Sequence, residues 1–239
     1  MNGPFTRWWK PWREVSGATV LHVDLTANHE HERHARAVLD GDEQERWHRF
    51  ASDRPRREFA LCRAALRFSL SERLGCSVSQ LSFHYRKHGK PYATVGEKPV
   101  SLGFNVSHSG RHGLIALGHR TCIGVDVEER IARRDFDGIG SMVYSPRERQ
   151  SLASVKGQRK MDRFFQLWSL KEALIKALGS GFSLDPCGFE VPGAMLQGVR
   201  SSVFRFPHAP SAAWRLLDLG EPRFAAALAY KLPPTPSRG

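Results

Sequence analysis

Residues 18–25, ATVLHVDL, alternate apolar and polar side chains and are rich in β-branched types, a period of two that predicts a strand. From about Asp53 the period lengthens. Phe59, Leu61, Cys62, Ala65, Leu66 and Leu70 recur at helical spacing in RPRREFALCRAALRFSLSERLG, which predicts an amphipathic helix ending at Gly75. LSFHYRKHGKPYA reads as a strand and then a turn at Gly89–Lys90–Pro91. SLGFNVSHSG breaks the apolar pattern with glycine and polar residues, and HGLIALGH and CIGVDVEE are two further strands joined by a short connection near His119–Arg120. Tyr144–Ser145–Pro146 then opens a helix, with Ser145 as N-cap, Pro146 at the first helical position and Glu148 placed for a capping box. A second helix is predicted from about Met161 to Leu178, stopped by Gly179. Strand-like segments follow near Phe189, Phe204, Trp214–Leu219 and Phe224–Tyr230, and the tail PPTPSRG is expected to be loose.

Strand, helix, strands thus occurs once in each half. The pattern predicts an α+β fold of two similar lobes, each a small antiparallel sheet packed with helices, divided as 1–119 and 120–239. A chain of 239 residues, 41% hydrophobic, can bury a substantial core. No apolar run approaches the ~20 residues that span a bilayer. The N-terminus has no secretory apolar segment, so the expected location is cytoplasmic, with no membrane partner. Cys62, Cys76, Cys122 and Cys187 are scattered, as expected of reduced thiols.

The formal charge of +12 changes the picture. Each half, divided at His119, has 18 Lys and Arg against 12 Asp and Glu, so the excess is spread over the whole body. Such a field attracts polyanions, among them nucleic acid, phosphorylated cofactors and acidic proteins.

Four short segments could carry chemistry. Asp126 and Glu128 in IGVDVEER sit two apart and share one strand face, where a hard divalent cation with phosphate and water ligands would relieve their repulsion. The alternative is a strand end emerging into solvent. FNVSHSG places Asn105, Ser107, His108 and Ser109 at the end of an apolar strand, all able to hydrogen-bond an anion. No GxSxG elbow surrounds Ser107, which argues against a serine hydrolase. HGKPYA presents Lys90 beside Pro91 on a turn. In WSLKEALIKALG, Glu172 and Lys176 share a helical face, as an ordinary surface ion pair would, and Lys171 lies about 100° round the helix, able to flank the same site. HEHERH, with His29, His31 and His34, reads as a solvated helix face more readily than as a metal site, and WWKPW as packing across a lobe or as disordered.

Taken in order, GKP, FNVSHS, GVDVE, the SPRE helix start and WSLKEALIKALG resemble the Sfp-type 4′-phosphopantetheinyl transferases, most strongly over residues 88–185. The resemblance implies a monomer of two pseudo-twofold-related lobes clasping coenzyme A. It implies transfer of 4′-phosphopantetheine to a serine of an apo acyl or peptidyl carrier protein, with release of 3′,5′-ADP. It also implies a Mg²⁺ requirement, with Mn²⁺ as the alternative ion. By motif, Asp126, Glu128 and Glu172 would be metal ligands. Ser107 and His108 would contact cofactor phosphates, Lys90 and the adjoining Pro91 the 3′-phosphate or adenine side, and Lys176 the diphosphate. Family members carry a further phosphate-binding Arg in the helix before GKP. Here Glu58 stands at that place, with Arg57 as the first choice and Arg63 as the reserve. Glu172 or Glu148 would be the base, and Phe182 could line the pantetheine arm. The basic body suits an anionic cofactor and an acidic carrier. A Mg²⁺-dependent nuclease and a non-enzymatic nucleic-acid binder are the competing readings. The first leaves GKP and FNVSHS unexplained, and the second leaves clustered carboxylates that would repel phosphate.

Overall fold

A computed structural model describes residues 6–119, 122–131, 136–179 and 184–234. Arg120, Phe182 and the end of the Pro-rich tail, on which expectations were placed, lie outside the described residues.

The first lobe begins with strands β1 (Trp9–Val15) and β2 (Ala18–Asp24), then helices α1 (His29–Ala37), α2 (Gly41–Arg49) and α3 (Asp53–Leu74). A small antiparallel sheet of β3 (Leu81–Tyr85), β4 (Pro91–Val95) and β5 (Lys98–Pro99) follows, and β6 (Gly103–Ser109) and β7 (His112–Gly118) return to the main sheet. That sheet has the order β1-β2-β7-β6 and is antiparallel throughout. The second lobe contains β8 (Ile123–Glu129), α4 (Phe136–Val143), α5 (Pro146–Ala153), α6 (Gly157–Leu178), the short α7 (Gly193–Leu196) and strands β9 (Ser201–Phe206), β10 (Ala209–Asp218) and β11 (Phe224–Lys231). Its sheet, also antiparallel, has the order β8-β11-β10-β9.

Helix α3 covers the first sheet and α6 the second. Each runs 22 residues and ends at a left-handed glycine, Gly75 (φ 64°) and Gly179 (φ 77°). The expected apolar stripe of α3 is buried from Phe59 to Leu70, and Trp8 and Trp9 close that core, with Trp9 stacked on Phe68 at 5.2 Å. Trp8 and Trp9 of WWKPW thus pack within the first lobe, whereas Trp12, on the edge strand β1, reaches the second lobe, donating Nε1 to Glu221 Oε1 (2.9 Å) and packing on Phe224. Helix α6 lies directly on β8. A Cβ at Gly124 would fall 2.3 Å from both Ala173 O and Ala177 N, so only glycine permits this approach. The other faces of the two sheets meet in a third apolar cluster that includes Val20, Leu114, Val125, Val127, Phe224 and Leu228.

Several elements differ from the sequence reading. SLGFNVSHSG is not a break: residues 103–109 form β6 without interruption. Its polar residues obey a period of two, but they face another strand instead of solvent. Strands β7 and β8, consecutive in sequence, belong to different sheets. Phe189 is not in a strand; it follows a 3-10 turn at Pro186–Gly188 and is buried against Phe204 and Phe206. Helix α6 starts at Gly157, four residues before Met161, and the polar stretch after β2 contains α2, closed by an Asp40–Glu43 capping box. The capping box of α5 is as expected.

Between the sheets, His22 Nε2 lies 2.9 Å from His112 Nδ1, and both rings pack on Phe224. Burial, reinforced by His112, lowers the His22 pKa from 6.5 to about 4. The unfolded chain therefore binds a proton that the folded protein refuses, and folding stability falls as pH drops from 6.5 toward 4. His22→Gln is expected to flatten that part of the stability–pH curve, measured by urea unfolding across the window. An unchanged slope would contradict the assignment.

Candidate active site between the lobes

Strand β8 is an edge strand, hydrogen-bonded to β11 on one side only. The amides of its outer edge, at Val125, Val127 and Glu129, face β6. There they are satisfied by side chains: Val125 N donates to Asn105 Oδ1 (2.9 Å), Val127 N to Ser107 Oγ (3.4 Å) and Glu129 N to Ser109 Oγ (3.2 Å). The period-two spacing of Asn105, Ser107 and Ser109 matches that of the strand they cap. Leaving one such buried amide unpaired would cost about 1–3 kcal/mol.

These rungs also hold acids. Ser107 Oγ donates to Asp126 Oδ1 (2.8 Å), and Lys176 Nζ donates to both Ser107 Oγ (2.9 Å) and Asp126 Oδ1 (2.6 Å). Asp126 is 2% exposed, and its Oδ2 is buried without a hydrogen-bond partner. Burial pushes the Asp126 carboxyl above the usual carboxylate range, against the pull of Lys176 and Ser107. Ser109 Oγ donates to Glu128 Oε2 (2.8 Å), so Glu128 continues the same row. Glu172, one turn before Lys176, is also raised by burial, opposed by Lys176 and reinforced by the Asp126 charge.

Glu172 and Lys176 line a cleft of about 440 Å³ between the lobes. His88, Gly89, Lys90, Pro91 and Asn105 form one wall, and Trp168, Ile175, Gly179, Val143, Leu184 and Pro186 help form the other. Asp126, Glu172 and Lys176 are thus electrostatically coupled at one place. Among the described residues, however, no three of His, Cys, Asp and Glu gather tightly enough to form a metal cluster, and the cation on Asp126 is the Lys176 ammonium. The buried, unpartnered Asp126 Oδ2 is an oxygen of the hard carboxylate kind that Mg²⁺ accepts.

Ser107 and His108 point to opposite faces of β6, so they do not act on one group from one side. His108 turns toward α3. Its Nδ1 is 3.4 Å from Glu58 Oε2, and Glu58 also accepts from Arg54 Nε (2.7 Å). Burial alone would raise the Glu58 pKa, but bonds from His108 and Arg54 leave it lowered. A pocket of about 150 Å³ joins His108 to Arg46, Phe59 and Arg63. Arg46 Nη1 and Arg63 Nη2 both donate to the Tyr85 hydroxyl, at 2.7 and 3.2 Å, and Arg63 Nη1 is buried without a partner. Arg57 instead donates to Leu25 O (3.1 Å) and lines a separate pocket with Arg54 and Arg111. Of the two candidate arginines, Arg63 is the one beside His108. Arg46, from α2, lines the same pocket, although no motif in the sequence singles it out.

Two family models match this chain. One, described as the 4′-phosphopantetheinyl transferase superfamily, covers residues 122–229; the other, described as 4′-phosphopantetheinyl transferase, N-terminal, covers 26–119. The chain belongs to the 4′-phosphopantetheinyl transferase superfamily. It is 37% identical over 147 residues to the putative 4′-phosphopantetheinyl transferase slr0495 of Synechocystis sp., covering 62% of this chain and 59% of that one. It is 35% identical over 149 residues to the 4′-phosphopantetheinyl transferase HetI of Nostoc sp., covering 62% of each. The match to the 4′-phosphopantetheinyl transferase Sfp of Bacillus subtilis is 27% over 177 residues, 72% of this chain and 74% of that one. The matched stretch thus spans about three-fifths of the two cyanobacterial relatives' length.

Within this superfamily member, Lys171 and Glu148 are not at the cleft as expected. Their side chains are 1% and 2% exposed and form an ion pair of 2.7 Å. Lys171 Nζ also donates to Pro186 O (2.6 Å) and Phe189 O (2.7 Å). Glu148 completes the α5 capping box and accepts from Val191 N (2.8 Å). Residues 171 and 172 are about 100° apart on α6, which is enough to turn one inward and the other to the cleft. Burial lowers the Lys171 pKa against the pull of Glu148. Lys171→Met would strand the Glu148 carboxylate in the core and is expected to destabilise the fold by about 3–5 kcal/mol in chemical denaturation. A loss within experimental error of zero would show that the pair contributes nothing.

Proposed function

We propose that this protein transfers 4′-phosphopantetheine from coenzyme A to a serine of an apo carrier protein, releasing 3′,5′-ADP. The observation that carries the reading is the Ser107–Asp126–Lys176 cluster, coupled to Glu172 at the cleft between the lobes. Family membership supports it. The 1–119 and 120–239 lobes are taken as the two walls that clasp the cofactor.

In this reading, the serine oxygen bonds to the pantetheine-side phosphorus of the diphosphate, and the bond from that phosphorus to the 3′,5′-ADP oxygen breaks. Little covalent chemistry falls to the protein, whose work is positioning and neutralising charge. Glu172 accepts the serine proton. Lys176 donates to the diphosphate and meets the charge that grows on the leaving oxygen. Asp126, Glu128 and Glu172 would hold Mg²⁺, with Mn²⁺ as the alternative. The bound ion would supply Lewis-acid neutralisation of the diphosphate. Arg46, Arg63 and His108, gathered round one small pocket, suit the 3′-phosphate. Glu148, buried and fully bonded, is not assigned the base. Ser107 acts through Asp126 and Lys176.

No helix among the described residues is long and apolar enough to cross a membrane. The net charge of +12 would speed encounter with an acidic carrier in a salt-sensitive way.

The test is incubation with coenzyme A, Mg²⁺ and an apo carrier, read by intact mass. The carrier is expected to gain one phosphopantetheine. Glu172→Gln, which keeps the side-chain shape, is expected to slow transfer by about 10²–10⁴-fold without loss of fold. Wild-type turnover in that variant would remove Glu172 from the mechanism.

A further inference from the structure

Lys90 leaves the first lobe on a tight turn, closed by Arg86 N donating to Lys90 O (2.9 Å) and Gly89 N to Arg86 O (2.8 Å). Its side chain does not end free in the cleft. Nζ crosses to the second lobe and donates to Ala177 O (2.8 Å) and Ile123 O (3.2 Å). Both acceptors are ones that secondary structure leaves over. Ala177 is in the last turn of α6, where carbonyls lack an intrahelical donor and carry the negative end of the helix dipole. Ile123 is in register with Val125, Val127 and Glu129, whose polar groups face the first lobe on the unpaired edge of β8. Room for the lysine stem comes from Gly179, where a Cβ would fall 2.8 Å from Lys90 Cδ.

We infer that Lys90 is a positioning residue that latches the 88–91 turn to the C-terminal end of α6, fixing the cleft's first-lobe rim relative to Glu172 and Lys176, and that it does not bind the cofactor's 3′-phosphate. The inference rests on the transferase reading, because the rim matters only if the cofactor lies across it. Of the two contacts that the resemblance implies for this lysine, the 3′-phosphate or the adenine side, it sets aside the first. That role asks the ammonium to face a mobile anion, whereas here two fixed carbonyls already hold it. Desolvation accompanies this placement, lowering the Lys90 pKa to about 8.

Two measurements test the latch. In the first, kcat and KM are determined for wild type and Lys90→Met with coenzyme A and with 3′-dephospho-coenzyme A, and Arg63→Ala serves as the comparison. A latch lowers kcat/KM by the same factor, within about twofold, for both cofactors, while Arg63→Ala is selectively impaired with coenzyme A. A loss in Lys90→Met about tenfold larger with coenzyme A, or no loss with either cofactor, overturns the proposal. The second needs no variant and no turnover. Wild-type protein without cofactor is treated with an amine-acylating reagent, and lysine labelling is followed by mass spectrometry. Lys90 is expected to label at least about tenfold more slowly than the exposed Lys87, although a freely accessible amine titrating near 8 would label faster. Labelling of Lys90 as fast as Lys87 overturns the latch even if Lys90→Met fails to fold. Absence of transfer by wild type would instead sink the transferase reading and leave the labelling result to stand.

Discussion

The outer edge of β8 is the constraint around which the molecule is organised. A buried edge strand presents amides and carbonyls that must find partners. In this protein they are met by side chains from the other lobe and not by a further strand. Asn105, Ser107 and Ser109 take the amides of Val125, Val127 and Glu129, and Lys90 takes the carbonyl of Ile123. The two sheets consequently abut without fusing, and the space beside this row is the cleft. The same strand carries Asp126 and Glu128, so the contact that joins the lobes also places the acids. Ser107 shows the coupling most directly: its hydroxyl accepts from Val127 N and Lys176 and donates to Asp126.

Electrostatics follows from that geometry. Asp126 is buried by the lobe contact, which makes its charge costly unless a cation stays close. Lys176, one turn beyond Glu172, supplies that cation. A diphosphate entering the cleft would meet an ammonium already paired to a carboxylate. Burial raises both acids, against the pull of Lys176. The Lys171–Glu148 pair holds an adjoining face of α6 to the 186–189 turn. One helix thus has an anchored ionic face and a face that lines the cleft.

Much of this was legible in the sequence, for identifiable reasons. The long helices, their glycine stops and the Ser145–Glu148 cap follow local rules, so α3, α5 and α6 could be read from periodicity and capping residues. Glu172 and Lys176 were placed together because four residues make just over one helical turn. What could not be read depends on non-local partners. Asn105, Ser107 and Ser109 look like a polar break until β8 lies beside them. Ser107 and His108 seem to form a pair until the pleat separates them. Lys171 and Glu148 look like cleft residues until the core closes round them. Arg63 could not be preferred to Arg57 from sequence, since only the position of His108 against α3 distinguishes them.

The lobe-joining row is tested most directly by amide hydrogen exchange at Val125, Val127 and Glu129, in wild type and in Asn105→Ala, alongside carrier modification. The structure predicts protection of these amides in wild type and, in the variant, loss of protection at Val125 together with a fall in transfer. Rapid exchange of all three in the wild-type protein, or full transfer with Val125 unprotected, would contradict the claim that this edge builds the site.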